Sequence, residues 1–321
     1  MRNKRWLVYG GLGLLVILFP FSVNSYILDV TIKICLYMVL ALGLNIVPGF
    51  CGLLDLGYVG FFATGAYTTA ILVNRYGWSY WWVIPLALLS GAIWGILLGA
   101  PTLRLTGDYF AIVTFGFSEL VVLLTRNWGS LTGGARGFPG IKPPSIGGYK
   151  FPLVPPIAYF YLIVLFLILT IFVMIRLSDS RLGRAWFAIR EDEVAAESLG
   201  INIMWYKTIA FAISASFGGL AGSFYATYAR NLHWTRFQFW ESIIILCMIV
   251  LGGLGSIKGV MLGATILVSL AEFLRFALDK LSLPPDTRYL FYGIIMIVMM
   301  RFRPEGLLGT TRVKREMHKR E

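Results

Sequence analysis

Charged residues are scarce in this chain: only 14% of its 321 residues are Asp, Glu, Lys or Arg. Soluble domains average about a quarter charged residues, so this composition excludes an ordinary soluble globular protein. Hydrophobic residues make up 58% of the chain, and the mean hydropathy is +0.75. Because the polar connections between apolar stretches are short, no separate soluble domain is expected.

Cysteine and histidine are also rare, with three cysteines and two histidines in the whole chain. Cys35, Cys51 and Cys247 lie inside apolar stretches and have neither a disulfide pattern nor metal-ligand spacing. We predict that they are small packing residues. His233 and His318 are too far apart in sequence to indicate a zinc-binding helix.

Motifs of catalysis and nucleotide binding are missing. No Gly-Lys dipeptide occurs, which excludes a phosphate-binding loop of the GxxxxGK[ST] type. No GxSxG turn and no converging pair of carboxylates is present, as a membrane-embedded enzyme would need. The sequence therefore predicts a non-catalytic protein that binds no cofactor or metal itself, so that any ATP is used by partner subunits.

The net charge of +12 does not indicate nucleic acid as a partner. The basic residues lie at the ends of apolar stretches and in short loops, without interleaved aromatic residues. This distribution is typical of a membrane protein surrounded by lipid.

Apolar stretches near the roughly 20 residues needed to cross a bilayer recur along the chain. The predicted fold is an all-α integral membrane protein, a polytopic helical bundle of about ten spans (eight to ten) that forms one domain over 1–321. The third span is rich in Gly and follows Pro48-Gly49, so it is either a full crossing or a broken or re-entrant one. The predicted spans are 6–20, 28–47, 52–73, 80–100, 109–125, 156–176, 205–228, 239–256, 258–279 and 288–302.

Both ends of the chain are basic, with Arg2, Lys4 and Arg5 at one end and a cluster over 312–320 at the other. The positive-inside rule then predicts that both termini are cytoplasmic, which requires an even number of spans. The loop 178–203 is cytoplasmic in this topology, and the loop 126–155 is external. The external loop contains basic residues and no acidic ones, which is the opposite of what the positive-inside rule predicts.

The loop 178–203 is charged and longer than a simple connection needs. It predicts a helix over 184–199, with Ile189, Ala196 and Leu199 on one side and acidic residues in the middle. Such a helix either docks into a groove of a partner or lies on the lipid surface. The dense acids favour docking, because an anionic leaflet would repel them.

Ala195-Ala196 followed by Gly200 resembles the coupling motif Glu-Ala-Ala-x-x-x-Gly of ABC importer permeases, with the glutamate displaced to Glu193. Five further motifs, in order, resemble the branched-chain amino acid permease family, and specifically its M-type members. They are NIVPGFCGLLDLGYVGFFATGAY (45–67), PTLRLTGDYFAIVTFGFSEL (101–120), LTGGARGFPGI (131–141), LGGLGSIKGVMLGA (251–264) and RPEGLLG (303–309).

The resemblance implies a multi-pass protein of the bacterial inner (cytoplasmic) membrane, which works with two ATPase subunits, a second related permease and a periplasmic substrate-binding protein. The substrate it implies is leucine, isoleucine or valine. Relatives with this fold also carry urea, short-chain amides or other amino acids, so the substrate stays open. A stand-alone channel or secondary transporter would explain the spans but not the acidic docking helix.

Three groups of residues are candidates for function. The translocation-pathway candidates are Asp55, Gly57, Gly60, Gly65, Gly116 and Glu119, and the alternative for the glycines is close helix packing. The binding-protein docking candidates are Arg136 and Lys142, unless their loop is only a solvated connector. Within the spans, Glu272 and Arg275 are predicted to pair. The candidates for ATPase coupling are Arg184, Ala185, Ile189, Glu191, Asp192, Glu193, Ala195, Ala196 and Gly200.

Overall fold

A computed structural model describes residues 18–102, 108–280, 287–303 and 305–308. Its helices are α1 (Ser25–Leu44), α2 (Tyr58–Asn74), α3 (Tyr80–Thr102), α4 (Asp108–Asn127), α5 (Gly129–Thr132), α6 (Ile157–Asp179), α7 (Arg181–Glu191), α8 (Glu193–Ser198), α9 (Ile203–Ala229), α10 (Phe239–Gly252), α11 (Ile257–Lys280) and α12 (Thr287–Phe302). Nine of the ten predicted spans therefore coincide with a helix. The predicted span at 6–20 and the basic residues of both termini lie largely or wholly outside the described residues.

Within the described part of the chain, seven helical segments are long and apolar enough to cross a membrane. They are Ser25–Cys51, Tyr80–Thr102, Tyr109–Asn127, Ile157–Asp179, Ile203–Ala229, Trp234–Gly252 and Ile257–Leu278. Large apolar side chains such as Trp82, Ile168 and Phe273 are exposed on them, as lipid contact requires. The all-α membrane fold is confirmed, whereas the count of eight to ten spans stays a prediction.

The third predicted span is interrupted at its beginning. Helix α1 runs on through a π-helical turn, Ile46–Cys51, and ends where Gly52 adopts a left-handed conformation with φ of 76°. Residues 52–57 are not helical, and α2 begins only at Tyr58. A helix over all of 52–73 is thus wrong for its first residues. Helix α2 has 17 residues, about 26 Å at 1.5 Å per residue, which is shorter than a bilayer core of about 30 Å.

Helices α2, α3 and α9 form the tightly packed centre of the bundle. A Cβ atom on Gly65 of α2 would lie 2.3 Å from the carbonyl oxygen of Gly219 on α9, and one on Gly91 of α3 would lie 2.3 Å from that of Ala215. Backbones approach this closely only where side chains are absent. Small residues of α2 and α9, such as Gly65 and Gly219, therefore let these two helices pack closely against each other.

The two ends of the bundle carry different structures. At one, here called the loop end, the segment 126–155 folds against 229–238 by pairing strand β1 (Phe138–Pro139) with β4 (Asn231–Leu232), and β2 (Ser145–Ile146) pairs with β3 (Tyr149–Lys150). The other, here called the coupling end, holds α7, α8 and the residues 253–256, 303 and 305–308. Helix α1 connects the two ends, since Asp29 near its start contacts Tyr228 and Asn45 at its end contacts Gly255.

Candidate functional site: the coupling end and a charged cluster

The segment predicted as one helix over 184–199 forms two helices. Helix α7 ends at Glu191, and Asp192 adopts an extended conformation with φ of −160°. The carboxylate of Asp192 accepts a hydrogen bond from the backbone N–H of Ala195 at 3.0 Å and so caps the start of α8. Because this break shifts the helical periodicity, Leu199 does not share a face with Ile189. It is 80% exposed, so its predicted position was wrong.

Part of the proposed coupling surface packs inward against the rest of the chain. Ala185 and Ile189 of α7 and Ala196 of α8 are buried. The indole of Trp186 on α7 is also buried and donates from Nε1 to the backbone oxygen of Tyr206 at 2.8 Å. These side chains fix the two helices on the bundle. The remaining coupling candidates, Arg184, Glu191, Asp192, Glu193, Ala195 and Gly200, are exposed.

The three acidic residues in the middle of the segment differ in what they do. Asp192 is the cap of α8, and Glu193 accepts a hydrogen bond from Nζ of Lys207 at 2.6 Å. The side chain of Lys207 is only 3% exposed, so this ion pair neutralises a buried charge. Glu191 is exposed at the end of α7. Of the three, Glu191 is the residue whose change disturbs the fold of this chain least.

Helix α7 is in direct contact with the π-helical turn that follows α1. The ring of Phe50 stacks on Trp186, with centroids 6.4 Å apart, and lies 5.0 Å from the ring of Phe187. Arg190 donates from Nη1 to the backbone oxygen of Gly49 at 2.5 Å. A movement of α7 would therefore reach the end of α1 and the non-helical segment 52–57 without an intervening element.

Three of the sequence motifs meet beside this contact. The side-chain oxygen of Asn45 accepts a hydrogen bond from the backbone N–H of Gly255 at 3.0 Å, which joins the first motif to the fourth. The fifth motif lies against the same segment, because the N–H groups of Leu307 and Leu308 donate to the carbonyl oxygens of Leu251 and Gly252 at 2.9 and 3.0 Å. The three motifs are far apart in the sequence, so this junction becomes visible only in the folded structure.

Asp55, a pathway candidate, lies in the non-helical segment before α2 and is 1% exposed. Its Oδ1 accepts a hydrogen bond from the backbone N–H of Gly57 at 2.8 Å. The neighbouring N–H of Leu56 donates to the hydroxyl of Thr114 at 3.1 Å. These bonds satisfy backbone groups that the helix break leaves without helical partners. Asp55 therefore stabilises the backbone at the break before α2, in addition to any role in the translocation pathway.

The candidate glycines fall into two groups. A Cβ on Gly57, Gly60 or Gly65 would lie 2.0, 2.7 or 2.3 Å from an atom of a neighbouring helix. Close packing accounts for these three. Gly116 on α4 has no described neighbour within 4 Å of such an atom, and Glu119, one turn further along the same helix, is half-buried. Of the four candidate glycines, Gly116 is therefore the one with open space beside it among the described residues.

The loop 126–155 is folded rather than a loose connector. The backbone oxygen of Ser145 accepts a hydrogen bond from the indole Nε1 of Trp81 at 2.8 Å. The backbone N–H of Lys142 donates to the side-chain oxygen of Asn74 at 3.0 Å. Arg230 donates to the carbonyl of Phe151 at 2.8 Å. The charged ends of Arg136 and Lys142 are exposed on this folded surface.

A cluster of charges inside the bundle was not foreseen as a group. Nζ of Lys33 on α1 lies 2.9 Å from Asp29 and 3.2 Å from Glu272 on α11. Arg275 lies 3.8 Å from Glu272, which confirms the predicted pair, although Lys33 is the closer partner. Tyr37 donates to Glu241 of α10 at 2.9 Å. The signal in the sequence was the presence of a few ionisable residues within apolar stretches, each expensive in lipid without a partner.

The three cysteines are buried and free. Within the described ranges, no group of His, Cys, Asp or Glu has an arrangement that would hold a metal ion.

Comparison with known proteins matches residues 26–300 to a family described as the permease component of the branched-chain amino acid transport system. The chain is 40% identical to the high-affinity branched-chain amino acid transport system permease protein LivM of Escherichia coli K12, over 97% of this chain and 76% of that protein. It is 28% identical to a probable LivM of Methanocaldococcus jannaschii, over 70% of this chain and 68% of that one.

The permease protein LivH of Escherichia coli K12 is 25% identical over 87% of this chain and 93% of its own length. The greater identity to LivM confirms the expected resemblance to the M-type, and these relatives are non-catalytic permeases, as predicted. No solved structure matches the chain. The chain belongs to the family of branched-chain amino acid transport system permeases.

Proposed function

We propose that this chain is one permease subunit of an ATP-driven importer and forms the translocation pathway for leucine, isoleucine or valine. A periplasmic binding protein delivers the amino acid, two ATPase subunits hydrolyse ATP, and a second related permease completes the membrane part. The chain itself binds no cofactor. Support comes from the names of its relatives and from one structural observation, the direct contact of α7 with the turn after α1.

In the proposed cycle, closure of the ATPases moves the exposed face of α7 and α8, which carries Arg184, Glu191 and Ala195, together with Gly200 in the turn that follows α8. The buried face transmits the movement, because Trp186 and Ile189 pack on the bundle. The hydrogen bond from Arg190 then pulls on the carbonyl of Gly49 and displaces the break at 52–57. Discontinuous helices such as the one broken before α2 typically form the substrate sites of membrane transporters.

The topology proposed here has about ten spans with both termini in the cytoplasm of a bacterium. It puts the coupling end on the cytoplasmic side and the loop end outside. The folded surface around Arg136 and Lys142 is then the surface that meets the binding protein, with the two cations facing acidic patches on it. Positive charge outside runs against the usual topology rule, and a receptor role for that surface accounts for it.

The test is affinity purification of the tagged chain from its native membrane in mild detergent, followed by mass spectrometry of the proteins that remain bound. We expect an ATPase pair and a second permease. Recovery of the chain alone, while a control membrane complex stays intact, would contradict the importer and indicate a channel or secondary transporter.

A further inference from the structure

One side of the bundle, here called the charged face, is formed by the first half of α1 and the second half of α11. Its charged residues are Asp29 and Lys33 on α1 and Glu272 and Arg275 on α11. The side chains of Asp29 and Lys33 are each 37% exposed, and that of Arg275 is 67% exposed. The ionic cluster therefore reaches the surface of the chain.

The charges of this face belong to membrane-spanning helices. All four lie within the segments Ser25–Cys51 and Ile257–Leu278. Lys33 is eight residues beyond the start of its segment, which is about 12 Å along the helix at 1.5 Å per residue. Charged groups within spanning helices are expensive in contact with lipid, so they lie next to protein or water.

Other sides of the bundle are apolar and suit contact with lipid. Helix α3 exposes large apolar side chains such as Trp82 and Leu89, and its sequence, Tyr80–Thr102, contains no charged residue. Helix α6 exposes Ile168 and Phe172 in the same way. The charged face differs from both helices, which indicates a neighbour other than lipid.

A cavity that adjoins the charged face supports this conclusion. It has a volume of about 420 Å³, and its lining includes the charged side chains of Lys33, Glu272 and Arg275. Such walls favour water over the acyl chain of a lipid. A protein packed on the face would separate this cavity from the hydrocarbon of the bilayer.

Two exposed aromatic side chains accompany Arg275 on the charged face. Tyr26 and Phe276 are 47% and 60% exposed and meet edge to face, with ring centroids 6.2 Å apart. Exposed aromatic residues beside an arginine are typical of the energetically important part of a protein–protein interface. Arg275 lies 3.8 Å from Glu272, which is too long for a hydrogen bond. Its N–H donors are therefore available to an acceptor outside this chain.

We propose that the charged face is the surface on which the second related permease packs. The inference rests on the proposed function and deepens it by locating that partner on this chain. Tyr26 and Phe276 supply the apolar contact, and a carboxylate or carbonyl oxygen of the second permease accepts hydrogen bonds from Arg275. Lys33 stays paired with the carboxylates of its own chain, at 2.9 and 3.2 Å.

Photo-crosslinking of the complete complex in its native membrane tests the proposal. Tyr26 or Phe276 is replaced by p-benzoylphenylalanine, an aromatic amino acid that bonds to neighbouring C–H groups under ultraviolet light. The matched controls carry the same amino acid in place of Trp82 or Phe172, which are exposed on the apolar sides. We expect an adduct with the second permease from both positions on the charged face and none from either control position.

Copurification of the second permease is measured in every sample, so that failure of this inference is distinguished from failure of the proposed function. An adduct from the control positions only, or no adduct in a complex that contains the second permease, would overturn the location. An adduct of the chain with a second copy of itself would overturn the choice of partner. Absence of a second permease from the wild-type complex would instead contradict the proposed function.

The variant Arg275→Leu distinguishes a protein neighbour from lipid. Lys33 remains 3.2 Å from Glu272 in this variant, so the fold of the chain should be kept. We expect the association of the two permeases, measured by dilution of the solubilised complex, to weaken by at least about tenfold, as for the loss of a hydrogen bond to a charged group. The control Arg176→Leu removes an exposed arginine at the end of α6 and should associate like the wild type. Unchanged association of Arg275→Leu would indicate that Arg275 meets lipid and would overturn the proposal.

Discussion

Lys207 on α9 and Glu193 at the start of α8 form an ion pair of 2.6 Å, in which the lysine side chain is 3% exposed and the glutamate 45%. The ion pair holds α8 against the long helix α9 of the same chain. Glu193 is one of the candidates for ATPase coupling, and its carboxylate is engaged within its own subunit. The coupling segment is therefore held by a buried cation as well as by the apolar contacts of α7.

Glu193→Gln should destabilise the protein, because the charge of Lys207 would be left buried without its partner. Breaking a buried pair costs about 3–5 kcal/mol, and the exposure of Glu193 reduces the expected loss to the lower part of that range or below. The double variant Glu193→Gln with Lys207→Met should recover most of the lost stability, since it removes the charge as well. The measurement is the thermal unfolding midpoint of the purified protein in detergent. A double variant no more stable than Glu193→Gln would argue against the pair as the cause.

Glu191→Lys should weaken association with the ATPase subunits without lowering the thermal unfolding midpoint. Glu191 is exposed at the end of α7, and reversing its charge disturbs neither the cap at Asp192 nor the ion pair at Glu193. The measurement is the amount of ATPase that copurifies with the tagged chain. Lys150→Glu, a charge reversal at the opposite end of the bundle, is the control and should retain the ATPase. Full retention of the ATPase by Glu191→Lys would show that this residue does not contribute to docking.

Gly65→Ala should lower the thermal unfolding midpoint, while Gly116→Ala should leave it unchanged or raise it. The added methyl group on Gly65 would lie 2.3 Å from the carbonyl oxygen of Gly219, so α2 and α9 must separate. Overpacking of this kind costs about 1–3 kcal/mol. At Gly116 no described atom lies within 4 Å of the new carbon, and alanine favours a helix over glycine by about 0.5–1 kcal/mol. Equal stability of the two variants would contradict the close packing of α2 and α9.

Arg136→Glu should reduce the stimulation of ATP hydrolysis by the binding protein, while basal hydrolysis stays unchanged. The residue is exposed in a 3-10 turn of the folded loop, Gly134–Arg136, and opposes the acidic patches proposed for the partner. Raising the salt concentration should weaken the wild-type stimulation in the same direction, because exposed charges are screened. Lys150→Glu, in strand β3 of the same loop, is the control. Stimulation equal to the wild type would indicate that Arg136 does not receive the binding protein.

The positions of the membrane-spanning helices could be predicted from the sequence, because each is a long apolar run bounded by polar residues, as in α6 and α9. The break before α2 was also signalled, by Pro48 and the glycines around it. The position of Leu199 was not predictable from periodicity, because the cap at Asp192 ends one helix and starts another. The charged cluster was missed since Lys33 and Glu272 are 239 positions apart and meet only when α1 and α11 pack. Sequence spacing can predict pairs within one helix, such as Glu272 and Arg275, but it cannot predict pairs between different helices.

The central claim, transport of branched-chain amino acids driven by a partner's ATPase, is tested most directly by uptake of radiolabelled leucine into proteoliposomes. The purified complex is reconstituted with ATP inside and the binding protein outside. We predict uptake that requires both, that stops with a non-hydrolysable ATP analogue, and that excess isoleucine or valine inhibits. Leucine flux through vesicles that hold this chain alone, without ATP or binding protein, would contradict the account and identify a channel or secondary transporter.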